Sequence, residues 1–138
     1  MSVTFRVVPI GVVRSPLKRR EQAPKQEHEG APEAWLDLDP GFRDAARDLR
    51  AGQALLVLTW LDRADREARV VHPRDDPGAP LTGVFSTRSA DRPNPIGIHR
   101  VRILEIADGV RLRVDALEAL DGTPIVDLKP VLDDADAR

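Results

Sequence analysis

Apolar and polar residues alternate most regularly in the C-terminal half of the chain. Within residues 110–117 every second position is apolar, and Arg111, Arg113 and Asp115 stand between them. This period of two predicts a strand with one buried face and one face in water. Asp108-Gly109, just before this strand, is a dipeptide typical of tight hairpin turns. Residues 98–107 are therefore predicted to form the antiparallel partner strand.

Shorter apolar runs predict the remaining elements. A helix is expected from Asp39 or Pro40 to Arg50, ended by Gly52, because apolar residues recur on one face and glycine favours a helix end. The polar stretches 15–34 and 73–80 are predicted to be loops. Further strands are predicted at residues 3–14, 35–39, 54–61, 68–72 and 124–129.

These elements indicate a mainly β fold. Six or more short strands with one short helix favour a small antiparallel β-barrel, closed or nearly closed. The chain shows no alternation of strands with long helices and no glycine-rich nucleotide fingerprint, which excludes a doubly wound, Rossmann-like fold. With 138 residues, the chain is expected to form one domain over 1–138.

Composition narrows the chemistry. The sequence has no cysteine, which excludes disulfides, thiol nucleophiles and cysteine-ligated zinc. The three histidines, His28, His72 and His99, lack the spacing of metal ligands, so no metal site is expected. The N-terminus does not resemble a secretory signal, and no apolar run is long enough to span a bilayer. A cytoplasmic protein is expected.

Charge is distributed unevenly along a chain of net charge −2. Residues 14–25 contain five basic residues and one acidic residue, whereas residues 115–138 contain seven acidic and two basic residues. The basic run is either a solvated loop or part of a positive face that meets phosphates. As an RNA-binding face it would comprise Arg14, Lys18, Arg19, Arg20 and Arg92, with Asn94 in the adjacent motif.

The segment G-V-F-S-T-R-S-A-D-R-P-N-P-I-G-I, residues 83–98, carries the most specific pattern in the chain. Two prolines bracket Asn94 and fix the local backbone, and Arg88 and Arg92 add two permanent cations. Such a loop presents donors in a preset geometry that suits an anion, a carboxylate or a nucleotide. An isolated proline-rich connection with solvated arginines would show the same composition.

Three further segments decide between these interpretations. D-G-T-P-I-V-D-L-K-P lies at residues 121–130, I-G-V-V-R-S-P at residues 10–16, and L-T-W-L-D-R-A at residues 58–64. In this order and spacing, the four segments resemble the motifs of the TrmO family, also called YaeB-like or TsaA-like. The resemblance runs from about residue 9 to residue 131.

The resemblance implies a fold, an activity and a site. Members of the family are small β-barrels that form homodimers, and they use S-adenosyl-L-methionine to methylate N6 of threonylcarbamoyladenosine beside the tRNA anticodon. The positions that match the family's cofactor pocket are Pro24, Lys25, Gln26, Asp62, Arg63, Arg88, Ile98, Asp121, Gly122, Thr123 and Pro124.

Five of these cofactor positions are assigned a chemical role. Arg88 suits the carboxylate of the cofactor, Asp121 suits its ribose hydroxyls or amine, and Ile98 would cover its adenine ring. The amides of Gly122 and Thr123 are expected to bond the edge of that base. Asp121, Asp91 and Asp127 are candidate general bases, and a mechanism that relies on positioning alone is equally compatible.

Ordinary structural roles compete with these assignments. Asp121-Gly122 is also a good turn, Asp62-Arg63 lies in a charged stretch typical of solvated loops, and Ile98 would be a core residue in most proteins. Gln26 could simply be solvated, and Asn94 could cap its own turn.

The sequence departs from the family pattern at three positions. Asp62 replaces a histidine, Val131 replaces a tyrosine and Lys25 replaces an arginine. No extra C-terminal domain is expected after the barrel. The alternatives are a methyltransferase that acts on a small molecule or another RNA position, and a non-catalytic module that binds S-adenosylmethionine.

Overall fold

The computed structural model describes residues 2–19 and 30–132. Strands dominate this part of the chain and helical segments are short. The strands are β1 (Gly11–Arg14), β2 (Ala34–Leu38), β3 (Ala54–Trp60), β4 (Val70–Val71), β5 (Thr82–Gly83), β6 (Ile96–Ala107), β7 (Arg111–Val114) and β8 (Pro124–Pro130).

Six strands form a closed barrel in the order β1-β2-β7-β6-β3-β8, and β8 pairs back with β1. Every pair in this ring is antiparallel. β4 and β5 form a separate two-stranded ribbon. The predicted mainly β fold is confirmed, as is the predicted hairpin, since Asp108 and Gly109 both have positive φ between β6 and β7.

The barrel interior follows from the alternation of buried and exposed positions along the strands. In β3, Leu55, Val57 and Thr59 are buried, and in β6 every second residue from Gly97 to Ile103 is buried. Apolar side chains fill most of this space, because removing them from water is the main force that holds the sheets together. The buried hydrophobic core includes Val13, Leu36, Leu55, Val57, Val101, Ile103, Leu112, Val114, Leu117 and Ile125.

Gly11 permits close contact between the first two strands. A Cβ atom at this position would lie 2.6 Å from the carbonyl oxygen of Asp37 and 2.8 Å from Cα of Leu38. Both neighbours are backbone atoms, so a larger residue would force β1 and β2 apart. The glycine of the I-G-V-V-R-S-P segment is therefore required by packing.

The first predicted strand is much shorter than expected. The prediction began at Val3, but β1 begins at Gly11, and Val3, Phe5, Val7 and Val8 are exposed. The reason is the ring of pairings, because β8 meets β1 only at Gly11 and Val12. Residues 2–9 thus form an apolar arm with no strand partner among the described residues.

The predicted helix is also shorter than expected. Asp39 begins the segment as predicted, because its carboxylate accepts a hydrogen bond of 2.8 Å from the amide of Gly41. A 3-10 turn at Pro40–Phe42 leads into α1 (Arg43–Ala46), where the α-helix ends. The chain must turn back at Gly52, whose amide bonds Ile103, before β3 begins. No helix in the described ranges is long and apolar enough to cross a membrane.

The registers place every motif-bearing loop at the same end of the barrel. Trp60 at the end of β3 faces Ile96 at the start of β6, and Arg14 at the end of β1 faces Trp35. Antiparallel pairing therefore directs residues 14–19, 61–69, 84–95 and 115–123 to one rim, called the motif rim below. α1 and the Asp108-Gly109 hairpin lie at the opposite rim.

Candidate functional site

Arg92 holds the central motif loop together from within. Its guanidinium donates to the carbonyl oxygens of Val84 and Thr87, with Nη2 lying 3.0 Å from the Thr87 oxygen. These contacts tie the start of the loop to its middle, and the side chain is partly buried. Arg92 thus has a structural role within the loop, and its predicted contact with RNA stays a prediction.

The same loop presents Arg88 to solvent. The Thr87 hydroxyl donates to the Val84 carbonyl at 2.9 Å and accepts from the amide of Ser89 at 3.1 Å. These bonds fix the backbone on both sides of Arg88. The Arg88 side chain is exposed and makes no hydrogen bond or ion pair with any described residue. The Arg88 guanidinium is thus carried on an ordered backbone and has free donors, as a carboxylate site requires.

Arg66, which sequence reasoning missed, joins the loop after β3 to the P-N-P turn. Its Nε donates to the Pro93 carbonyl at 2.8 Å and its Nη2 donates to the side-chain oxygen of Asn94 at 3.2 Å. The guanidinium also lies over the Trp60 ring, 5.1 Å from its centroid. Arg66 is 27 and 28 positions from these partners, so no local pattern identifies it.

The structure brings Lys18, Arg63 and Asp121 together from three different loops of the motif rim. Lys18 Nζ lies 3.0 Å from one carboxylate oxygen of Asp121, and the amide of Ser15 donates to the other oxygen at 2.9 Å. Arg63 donates to the backbone carbonyl of Lys18 at 3.0 Å. Two predicted cofactor residues thus share one cluster with a residue predicted to bind RNA.

This cluster determines the protonation of Asp121. The hydrogen bond from the Ser15 amide and the bond from Lys18 lower the pKa of the Asp121 carboxyl below its ordinary value. A carboxylate stabilised in its charged form is a weak proton acceptor. Asp121 therefore suits hydroxyl or amine binding better than the role of general base.

The other two candidate bases have partners of their own. Asp91 accepts a hydrogen bond of 2.8 Å from the amide of Asp65, which fastens the loop after β3. Asp127 accepts from the amide of Leu128 and lies 3.3 Å from Lys129. Neither contact singles out a base, so the general base stays unassigned.

The turn after Asp121 corrects one expectation. The amide of Gly122 donates to the Val13 carbonyl at 2.7 Å and that of Thr123 donates to Leu120 at 3.1 Å. Both donors are used within the fold, and the Thr123 side chain is only 4% exposed. The expectation that these two amides bond a base edge is therefore wrong for this conformation.

Apolar side chains face outward where β6 leaves the motif rim. Ile98 is 43% exposed and Ile96 is 47% exposed, while their neighbours Gly97 and His99 point inward. The interpretation of Ile98 as a core residue is wrong. An exposed isoleucine beside polar loops offers an apolar surface to a base or another ring.

Some predicted residues add little to this geometry. Pro24, Lys25, Gln26 and Arg20 lie outside the described residues. Asp62, Arg14 and Arg19 are exposed at the motif rim, and Pro124 begins β8. Within residues 2–19 and 30–132, no group of three or more histidine or acidic side chains is arranged to hold a metal ion.

A groove also lies at the opposite rim, lined by Asp37, Leu38, Pro40, Arg43, Asp108, Val110 and Arg111. None of the predicted site residues lines it. Arg43 donates to the Asp108 carbonyl, and Arg111 lies over the Trp35 ring, 4.7 Å from its centroid. Because the described members of the predicted site lie at the other end of the barrel, we assign the candidate site to the motif rim.

Comparison with known proteins identifies the family of the chain. The family described as the tRNA-methyltransferase O N-terminal domain matches residues 12–137. The chain is 46% identical to a probable S-adenosyl-L-methionine-binding protein of Archaeoglobus fulgidus over 88% of its length and 32% of the relative. It is 36% identical to the tRNA (adenine(37)-N6)-methyltransferase of Escherichia coli, over 94% of this chain and 58% of the enzyme.

A solved structure shows the same fold. The crystal structure of TrmO from Pseudomonas aeruginosa matches with a TM-score of 0.77 and 33% identity. The match covers 99% of this chain and 60% of that one. The chain thus spans only part of the length of each of these three proteins.

The lowered pKa of Asp121 predicts a pH-dependent effect of Asp121→Asn. Contacts to the charged carboxylate stabilise the fold above the ordinary carboxyl pKa, and this stabilisation disappears as pH falls through the lowered pKa. Asp121→Asn should cost about 0.5–1 kcal/mol near neutral pH. Wild type and Asp121→Asn should have equal unfolding free energies well below about pH 4. Thermal melting of both proteins between neutral and acid pH measures this convergence.

The cause of the shift is tested in the same series. When Lys18→Met is present in both proteins, the loss of unfolding free energy caused by Asp121→Asn near neutral pH should be smaller but still measurable. The reason is that the Ser15 amide still bonds the carboxylate. A difference that stays constant between neutral and acid pH would contradict the assignment.

Proposed function

Because the chain belongs to the TrmO family, we propose that it transfers a methyl group from S-adenosylmethionine to N6 of threonylcarbamoyladenosine in tRNA. The observation that carries this proposal is the gathering of four motif segments at one rim of a closed barrel. The name of the Escherichia coli relative supports the adenine N6 acceptor, and the name of the Archaeoglobus relative supports the cofactor.

The residues at the motif rim fit the cofactor. Arg88 offers an unpaired guanidinium to the cofactor's carboxylate, and Ile98 offers an exposed apolar side chain to its adenine. Asp121 offers a charged carboxylate, 25% exposed, to ribose hydroxyls or to the amine. The cofactor's carboxylate, its adenine and its ribose or amine therefore each have one candidate side chain at the motif rim.

When bound, S-adenosylmethionine supplies an electrophilic methyl group on a sulfonium. We assign to the loops of the motif rim the task of holding the acceptor nitrogen in line with that methyl group, while the proton that N6 loses passes to solvent. The contacts that lower the pKa of Asp121 make its carboxylate a weak proton acceptor, so we assign it to binding and leave the general base unassigned. Positioning by the rigid motif loops is the main catalytic contribution that we assign to the barrel.

Cations at the motif rim suit the tRNA backbone. The outward basic side chains on the loops of this rim are Arg14, Lys18, Arg19, Arg63, Arg66, Arg69 and Arg88. Phosphate contacts of this kind position an RNA without reading its sequence. Because the proposed acceptor is tRNA, we place the activity in the cytoplasm.

We also propose that the chain acts as a homodimer. The apolar arm at residues 2–9, with Phe5 83% exposed, lacks an intrachain partner strand among the described residues. Leu56 and Leu58 lie on the outward face of β3. A second copy of the chain would cover both surfaces symmetrically.

The cofactor assignment predicts the effect of Arg88→Ala. Calorimetry with S-adenosylhomocysteine should show one site per chain, and the variant should bind at least about tenfold more weakly because a carboxylate loses its charged partner. Arg47→Ala, a change of an exposed arginine near α1 at the opposite rim, serves as the matched control. Equal affinities for wild type and Arg88→Ala would remove Arg88 from the site.

The acceptor is tested by mass spectrometry of tRNA nucleosides from a strain that lacks the gene. Methylated threonylcarbamoyladenosine should be lost and the unmethylated nucleoside should accumulate, and the wild-type gene should restore the modification. Unchanged nucleosides, with cofactor turnover by the purified protein, would indicate a different acceptor. Unchanged nucleosides without turnover would indicate a non-catalytic binding module.

Light scattering tests the dimer. At micromolar concentration we expect twice the chain mass of 15.2 kDa. Phe5→Ser should weaken association, because the exposed ring lies on the arm. The mass of one chain for a fully active protein would rule out the dimer.

A further inference from the structure

A chain of three polar side chains crosses the barrel interior beneath the motif rim. His99 Nε2 lies 2.8 Å from the Thr59 hydroxyl, and His99 Nδ1 lies 2.6 Å from a carboxylate oxygen of Glu118. Thr59 is fully buried and His99 is 4% exposed. The function described above uses none of these groups.

The arrangement does not act as a nucleophilic triad. A carboxylate, an imidazole and a hydroxyl in this order would activate the hydroxyl for attack if a substrate reached it. Thr59, however, points into the core from β3 and has no exposed surface. The chemistry of the network must therefore be internal to the fold.

The hydrogen atoms follow from the partners. A charged Glu118 carboxylate only accepts, so the proton lies on His99 Nδ1, and in the neutral ring Nε2 accepts from the Thr59 hydroxyl. The other carboxylate oxygen of Glu118 is buried without a hydrogen-bond partner among the described residues. Such a group costs free energy compared with an apolar side chain of similar shape, so the network calls for an explanation beyond stability.

Gly97 shows what the network controls. A Cβ atom at Gly97 would lie 2.5 Å from the Thr59 hydroxyl and 2.8 Å from His99 Nε2. The backbone at the motif glycine thus packs directly on the hydrogen bond between Thr59 and His99. A shift of either side chain toward Gly97 would therefore press on this backbone and on the neighbouring Ile98.

Glu118 extends the network to the second motif segment. It lies three positions before Asp121. The Asp121 turn is in turn bonded to β1, because Gly122 donates to Val13 at 2.7 Å and Val13 donates to Thr123 at 2.9 Å. Side-chain hydrogen bonds therefore join the strand that carries Ile98 to Glu118, and the backbone from Glu118 leads within three residues to Asp121.

We propose that His99 is a positioning residue of the methyl-donor site, which fixes the Gly97–Ile98 segment relative to the Asp121 turn through Thr59 and Glu118. This inference rests on the proposed function. It assigns a role to a histidine that lies behind the site and does not contact the cofactor.

Calorimetry with S-adenosylhomocysteine tests the link. Thr59→Val keeps the side-chain shape and removes the hydroxyl, and His99→Asn keeps a donor for Glu118 but does not reach Thr59. Each should weaken binding severalfold, up to about tenfold, because the loss in binding free energy is at most that of the missing hydrogen bond. Thr59→Ser, which restores the hydroxyl, should bind within about twofold of wild type.

Val110→Ala is the control for general destabilisation. Val110 is a buried core residue at the opposite rim, so its loss lowers stability without touching the network, and binding should stay within about twofold of wild type. Equal affinity of wild type, Thr59→Val and His99→Asn would overturn the role of His99 while leaving the proposed function intact.

Amide hydrogen exchange of the ligand-free protein gives an independent readout. The amides of Ile96 and Gly122 bond Asn94 and Val13 at the motif rim. Both should exchange faster in Thr59→Val than in Val110→Ala at matched global stability. Failure of wild type to bind S-adenosylhomocysteine would contradict the proposed function and the donor-site role together. Exchange unaltered at both amides would refute the mechanical link by itself.

Discussion

The pairing of β1 with β8 is the constraint on which the rest of the structure depends. It spans only Gly11 and Val12, supported by a 2.8 Å bond from the Ile10 amide to Ile125 and by the bonds between Val13 and the 121–123 turn. This short ladder converts a six-stranded sheet into a closed ring. Without it the Asp121 turn would lose its connection to the Ser15–Lys18 segment, and the charged cluster at the motif rim would not form.

Closure also explains the division of roles among the arginines. Arg66 joins two loops of the motif rim and Arg92 ties the central motif loop to itself, so both guanidinium groups serve the fold. Arg88 stands on the loop that they hold and keeps its own donors free within the described residues. The backbone of such a site is preorganised, because its loops lose little conformational freedom when a ligand arrives, whereas the Arg88 side chain becomes ordered on binding.

Local patterns in the sequence predicted the β architecture but not the contacts between loops. Alternation and the Asp108-Gly109 turn are local signals, and the structure confirms both. The apolar pattern at residues 3–9 indicated a strand, yet a strand needs a partner, and the ring of pairings supplies none there.

The candidate site likewise combines residues that the motifs predicted with contacts that they did not. The motifs identified Arg63 and Asp121, which the structure brings into one cluster with Lys18. They did not identify the chain of Thr59, His99 and Glu118, whose members are 40 and 19 positions apart. Those contacts arise from barrel register, which no single segment encodes.

The most direct test of this account is a crystal structure of the protein with S-adenosylhomocysteine. We expect S-adenosylhomocysteine to bind at the motif rim, with its carboxylate bonded to Arg88 and its adenine against Ile98. Ligand density in the groove of the opposite rim, beside Arg43 and Arg111, would contradict it.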